Sequence, residues 1–185
     1  MPRRIEPQPS PALDLEEVYR THAKFVWRAA VALGVPEAAR EDVVHDVFLV
    51  VARRLHEYDG RAAMTTWLFG ITRGVARNRR RASARHQRKL QAVPALQPDG
   101  VHDSKEDPAE VADRRRAVAL VEAFLAQLEP GHRVAFELMD VQGMSAPEVA
   151  EATGLNVNTV YTRVRAARAR FRRFVERRAG SSSHA

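Results

Sequence analysis

The stretch Gly143-Met144-Ser145-Ala146-Pro147-Glu148-Val149-Ala150-Glu151-Ala152-Thr153-Gly154-Leu155-Asn156-Val157-Asn158-Thr159-Val160 decides how the C-terminal part of this chain folds. Ser145 with Glu148 three residues on is a capping box, so a helix starts there. Pro147 falls in the first turn, where a missing N–H is tolerated. The small Ala150 lets a second helix cross closely, and Gly154 can take the left-handed turn between the two. Val149 and Val160 fill the angle. Together these residues predict a helix-turn-helix. Its second helix is expected over residues 156–178. Val157, Val160, Val164, Ala167 and Phe171 face inward. Asn158, Tyr161, Thr162, Arg165 and Ala169 then face outward, with Arg163 and Arg168 on the flanks. Polar residues near the start of such a helix can meet base edges in the major groove. Residues 163–178 hold eight Arg and one Glu, which suits phosphate contact.

The bulk numbers point the same way. The chain has 185 residues, 45% of them apolar and only 6% aromatic, with a formal charge of +7. An apolar content made mostly of Ala, Val and Leu favours helices with modest cores. A basic chain rich in Arg points toward a polyanion, nucleic acid before membrane. No Cys is present, which removes disulfides, thiolate catalysis and Cys-ligated zinc. The seven His are scattered and show no metal-ligand spacing, so no metal and no cofactor are expected. No apolar run approaches the ~20 residues of a membrane span, and residues 1–12 do not look like a secretory signal. No membrane insertion and a cytoplasmic location follow by default.

Upstream, three helices are expected. Asp14, with Glu17 completing a capping box, opens the first, and Gly34 and Pro36 end it. The second covers residues 37–56. Val44, Phe48, Val51 and Leu55 form its stripe, and Val43, Val47 and Val50 widen it. Tyr58-Asp59-Gly60 is a turn signal. The third runs from Thr66 into the eighties, with Trp67, Leu68, Ile71, Val75 and Asn78 on its inner side. Pro94, Pro98, Gly100 and Pro108 mark a flexible linker, after which helical pattern resumes near Asp113. The expected architecture is all-α. It has a disordered N-terminus (1–12), a first helical domain (13–91), a linker (92–112), a helix-turn-helix domain (113–178) and a disordered tail (179–185).

The first domain narrows the function. Arg73, Arg77, Arg79, Arg80, Arg81, Arg85, Arg88 and Lys89 crowd its third helix, and no acid occurs between Phe69 and Gln91. Such density repels itself unless a polyanion neutralises it. Both domains therefore carry a basic helix.

These residues resemble a known family. Glu41-Asp42-Val43-Val44-His45-Asp46-Val47-Phe48 is similar to the E-D-L-V-Q-[DE]-[VT]-F helix of the small, two-domain extracytoplasmic-function (ECF) sigma factors. Thr66-Trp67-Leu68-Phe69-Gly70-Ile71, followed by Arg77-Asn78-Arg79-Arg80-Arg81, resembles that family's T-W-L-x-x-I-A-x-N…R-R text. Leu128-Glu129-Pro130, Gly143-Met144-Ser145, Glu148-Val149-Ala150 and Val157-Asn158-Thr159-Val160 resemble its L-P…G-x-S-x-x-E-I-A…V-x-T-V. The resemblance implies a sigma factor that binds RNA polymerase core and reads promoter DNA, with an anti-sigma factor as a further partner. Asp42, His45, Asp46 and Leu49 would dock on the polymerase. Thr65, Thr66, Arg73, Arg77, Asn78, Arg80 and Arg81 would meet the melted minus-ten element. Asn158, Thr159, Tyr161, Thr162, Arg163, Arg165 and Arg168 would read the minus-thirty-five element. Trp67 invites a stacking role but reads as a core residue.

Three positions depart from the family text. Gly74 stands where many members have Asn, His45 where Gln is usual, and Gly70 early in a helix, where Gly costs about 1 kcal/mol relative to Ala. A conventional helix-turn-helix regulator, dimeric on a palindrome, is the alternative reading. The basic third helix speaks against it, because a sensor domain has no use for that charge. No constellation of nucleophile, base and acid suggests an enzyme.

Overall fold

The first helix, α1 (Leu15–Ala32), starts where Asp14 leaves extended backbone and its carboxylate accepts from the Glu16 N–H at 3.1 Å. The cap is therefore a local Asx turn. The expected reciprocal bond from Glu17 is not made. The computed structural model describes residues 13–89 and 108–182. After α1 come α2 (Arg40–Arg54), α3 (Met64–Lys89), α4 (Pro108–Ala126), α5 (Pro130–Phe136), α6 (Ala146–Thr153) and α7 (Val157–Ser182). A π-helical segment, Glu137–Val141, continues α5. No strand occurs among the described residues, and none of their helices is long and apolar enough to cross a membrane.

Several boundaries differ from the sequence reading. Residues 37–39 form a separate 3-10 turn before α2. Helix α4 begins at Pro108, five residues before the expected start. Pro is well placed at a first helical position, where no N–H is required. Helix α7 runs four residues past Arg178. The expected disordered N-terminus (1–12), residues 92–107 of the expected linker and the last three tail residues lie outside the described residues, whereas residues 108–112 of the linker and 179–182 of the tail are helical.

The buried stripes are also rotated from those expected. Val43, Val47 and Val51 are completely buried, one per turn, with Phe48 beside them, whereas Val44 and Leu55 are half-buried. On α3 the inner positions are Leu68, Phe69, Ile71, Thr72 and Ala76. Trp67 and Val75 sit at the edge, and Asn78 is exposed rather than inward. A register set by residues 68, 72 and 76 leaves 78 on the far side of the helix.

The two halves share one core. Val26, Ala29, Val43, Val47, Leu68 and Phe69 from α1–α3 belong to the same buried cluster as Leu138, Val149, Ala150, Val160 and Val164. Helix α6 packs on α3, and α1 packs on α5 and the π-helical segment. A second cluster lies inside the C-terminal half. There Phe124 meets Phe136, Phe171 and Phe174 with ring centroids 5.0–5.4 Å apart, and Val31 of α1 packs against it. Each buried Val, Leu or Phe contributes roughly 1.5–3 kcal/mol, so the shared cluster is a substantial part of the fold's stability. An ion pair also bridges the halves. Arg40 Nη1 on α2 lies 3.1 Å from Glu122 Oε1 on α4, and the Arg40 guanidinium sits over Trp27.

Glu137 is the one carboxylate sealed into this core among the described residues. Burial pushes its pKa up to about 7. The charge of Arg28 and a 3.0 Å bond from Gln142 Nε2 pull the other way, and Glu122 adds to the rise. Below pH 4.5 both folded and unfolded states hold the proton. Between about 4.5 and 7 only the folded state holds it, so stability falls as pH rises through that window and then levels off. Glu137→Gln keeps an acceptor for Gln142 and removes the titration. Urea unfolding at pH 5 and pH 8 should show the wild type losing on the order of 2 kcal/mol more than the variant between the two. Equal losses would contradict this account of Glu137.

Candidate nucleic-acid and polymerase interface

Asp42, His45, Asp46 and Leu49 recur at three- and four-residue steps and form one face of α2. Leu49 is 45% exposed, and His45 is also on the surface. The two acids are not loose. Arg79 of α3 donates from Nη1 to Asp42 Oδ2 and from Nε to Asp46 Oδ2, both at 2.9 Å. Partial burial works against the Arg79 charge. The bonds and charges of the two carboxylates outweigh it and hold the guanidinium above its ordinary range. The face is thus a fixed acidic and apolar strip. Arg79 stood in the sequence as one more basic residue of α3, and its clasp is a feature the sequence reading missed. Its partners lie 33 and 37 residues away, and no local signal names them.

The α3 residues divide by depth. Thr66 is buried and its hydroxyl lacks a hydrogen-bond partner, while Thr65 is half-buried. Arg73, Arg77, Asn78, Arg80 and Arg81 are exposed. Trp67 is half-buried and leans on Tyr58, with ring centroids 5.4 Å apart. A cavity of about 520 Å³ opens here between Thr66, Trp67, Gly70, Arg73, Gly74 and Asn78 on one side and Glu151 and Ala152 of α6 on the other. A Cβ at Gly70 or Gly74 would meet nothing within 4 Å, so packing within the chain does not require glycine at either place.

The helix-turn-helix forms as its sequence predicts. Ser145 N donates to Glu148 Oε2 at 2.7 Å, and the Glu148 N–H returns a longer bond to Ser145 Oγ. The Ser145 hydroxyl also donates to Glu148 Oε2 at 2.6 Å, and this bond, with the one from the Ser145 N–H, holds the Glu148 carboxyl below its usual range. Gly154 takes φ 72°, in the left-handed region, and its N–H closes on Ala150 O at 2.8 Å. Asn156 Oδ1 then accepts from the Asn158 N–H at 2.8 Å and starts α7. Val160, Val164, Ala167 and Phe174 are buried.

The candidate readers on α7 separate into three groups. Asn158, Tyr161, Thr162 and Arg165 face solvent, with Tyr161 55% exposed. Thr159 and Arg163 are half-buried, and the Arg163 guanidinium lies so near Gly131 that a Cβ there would come within 2.8 Å of it. Arg168 is clamped by Asp140 through Nε and Nη2, at 2.9 and 2.7 Å to Oδ1. Those bonds raise its pKa further. In this conformation Arg168 ties α7 to the π-helical segment.

Two family models match the chain: sigma-70 region 2 over residues 18–86 and sigma-70 region 4 over residues 119–171. The first spans α1 to α3, and the second spans the helix-turn-helix. The chain is 31% identical to the RNA polymerase sigma factor CnrH of Cupriavidus metallidurans, over 80% of each chain. It is 28% identical to the ECF RNA polymerase sigma factor RpoE of Cereibacter sphaeroides, covering 84% of this chain and 83% of that one. Among solved structures, CnrH in complex with the cytosolic domain of CnrY superposes with a TM-score of 0.60 at 25% identity. The overlap covers 88% of this chain and 87% of that one. The fold is likewise that of RpoE from Bartonella quintana, solved with the anti-sigma factor NepR. There the TM-score is 0.66 at 20% identity, over 88% of this chain and 97% of that one. The chain belongs to the extracytoplasmic-function family of RNA polymerase sigma factors, which direct promoter-specific transcription initiation.

Proposed function

We propose that the α2 face of Asp42, His45, Asp46 and Leu49 docks on RNA polymerase core, and that α3 and α7 then divide the promoter between them. Thr65, Thr66, Arg73, Arg77, Asn78, Arg80 and Arg81 receive the melted minus-ten strand. Asn158, Tyr161, Thr162 and Arg165 meet base edges of the minus-thirty-five element, and Thr159 and Arg163 support them from the flank. Arg168 joins only by leaving Asp140. The observation that carries this reading is the coexistence, in one chain, of a rigid acidic and apolar strip with two basic helices. Extruding a base costs a few kcal/mol, which the half-buried Trp67 wall, the Thr66 hydroxyl and the arginines can repay.

The chain itself performs no chemistry in this scheme, because polymerase makes the bonds. It works in the cytoplasm, on nucleoid DNA once bound to polymerase. An anti-sigma factor is proposed as a second partner, in line with the complexes of CnrH and RpoE. The domain boundaries follow the same scheme: a region 2 domain to about residue 91, a connector, and a region 4 domain from about residue 113.

Transcription by purified bacterial core polymerase on a supercoiled promoter library tests the scheme. Specific transcripts are expected only when the chain is added. Their absence, with tight binding of the chain alone to duplex DNA, would favour a conventional regulator. Within the same assay Arg165→Ala should relax discrimination at one or two minus-thirty-five positions by about 1–3 kcal/mol. Arg172→Ala should instead weaken all promoters alike. Equal, sequence-blind losses from both would refute the assigned reading face.

A further inference from the structure

Two glycines inside α3 have no role in holding the fold. Glycine in a helix interior is less favourable than alanine. Neither Gly70 nor Gly74 takes a left-handed φ, and a Cβ at either would meet nothing within 4 Å. Contact with something outside the chain is the remaining reason for a bare backbone there. Thr66, Gly70, Gly74 and Asn78 follow at four-residue steps and form one stripe along the helix. Arg73 and Arg77 run along one flank of it, and Trp67 and Ile71 along the other. All of these except Arg77 line the cavity of about 520 Å³. Arg73 gives Nη1 to the Thr153 carbonyl at 2.7 Å, and Arg77 is exposed.

Thr66 gives an independent sign of a ligand. It is 6% exposed, and its Oγ1 is buried without a hydrogen-bond partner. A helical threonine can return its hydroxyl to the carbonyl one turn back. Thr72, Thr153 and Thr162 do so, at 2.8, 2.6 and 2.9 Å to Leu68, Val149 and Asn158. For Thr66 that carbonyl belongs to Ala62, which accepts from Tyr58 Oη at 2.7 Å. A buried polar group left unpaired is costly, and a hydroxyl can donate or accept. The unpaired hydroxyl thus stands at the head of the glycine stripe and lines the same cavity.

We infer that Gly70 and Gly74 form the floor on which one base of the melted minus-ten strand lies, its ring against bare α3 backbone and its polar edge bonded to Thr66 Oγ1. A flat, uncharged floor suits a ring face, while the cations along the flank suit the phosphates on either side. The inference rests on the assignment of the minus-ten strand to α3. It adds two specificity-determining positions whose contribution is the side chain they lack.

The test uses core polymerase carrying the full chain and a fluorescent fork DNA. The minus-ten segment of the fork is the single non-template strand of a promoter that the chain selects. Gly70→Ala and Gly74→Ala should each raise the melting temperature of the free chain by about 2–4 °C. Each should nevertheless weaken fork binding by about 10-fold, because one added methyl lifts the base off the floor. Thr66→Val should also weaken binding without lowering the melting temperature, and Thr66→Ser, which keeps the hydroxyl, should bind more tightly than Thr66→Val. Ser83→Ala, a helix-favouring change on the opposite face of α3, should leave binding unchanged. Glycine variants that bind like wild type, or that lose binding and melting temperature together, would overturn the inference. Arg77→Ala separates it from the assignment beneath. If Arg77→Ala weakens fork binding and the glycine variants do not, only the glycine floor fails. If none of them changes binding, the assignment of the minus-ten strand to α3 fails.

Discussion

A helical half of about seventy residues buries only about 60% of the surface its unfolded chain exposes. That constraint governs this structure. The Val and Ala side chains of either half make only a modest core, and Leu68 and Phe69 from one side share a cluster with Leu138, Val149 and Val160 from the other. The Arg40–Glu122 pair and the Arg73 bond to Thr153 sit where the halves meet and set their register more than they add stability. Partly exposed pairs of this kind contribute about 0–1 kcal/mol each. The apolar cluster carries the closed form, and the polar links decide which surfaces face each other.

Charge pulls against that closure. The acid-free run of α3 and the Arg-rich part of α7 belong to one chain of net charge +7. Packing α6 on α3 brings these cationic segments nearer than they would otherwise lie. Some of the cost is met internally: Arg79 is neutralised by Asp42 and Asp46, and Arg168 by Asp140. Arg77, Arg80, Arg81 and Arg165 remain on the surface. A polyanion supplies what the protein does not, and under the proposed division of the promoter it does so at two separate places. Shared apolar burial holds the halves together against that repulsion.

Much of this was legible in the sequence, for local reasons. The helix-turn-helix could be read because Ser145, Glu148 and Gly154 act through neighbours no more than four residues away, and the structure places each as expected. The four residues of the α2 face were named through the family resemblance, and their three- and four-residue spacing puts them on one side of the helix. The buried stripe of α2 was misplaced by one position because nine apolar residues from 43 to 55 leave several registers open, and only the partner helices choose Val43, Val47 and Val51. The Arg79 clasp, the Arg168–Asp140 clamp and the Arg40–Glu122 bridge join residues 28 to 82 apart, and no pattern along the chain encodes such pairings. The shared core escaped for the same reason. A proline-marked connector suggested independent domains, while the apolar residues that join them look no different from residues facing their own half.

The central claim is that this chain melts promoter DNA only as a subunit of polymerase. The most direct measurement places 2-aminopurine in the non-template strand of the minus-ten element of a promoter selected by the chain. Its fluorescence is then followed as chain, core polymerase or both are added. The account predicts a rise, from unstacking of that base, only when both are present. A rise with the chain alone, or none with the complete mixture, would contradict it.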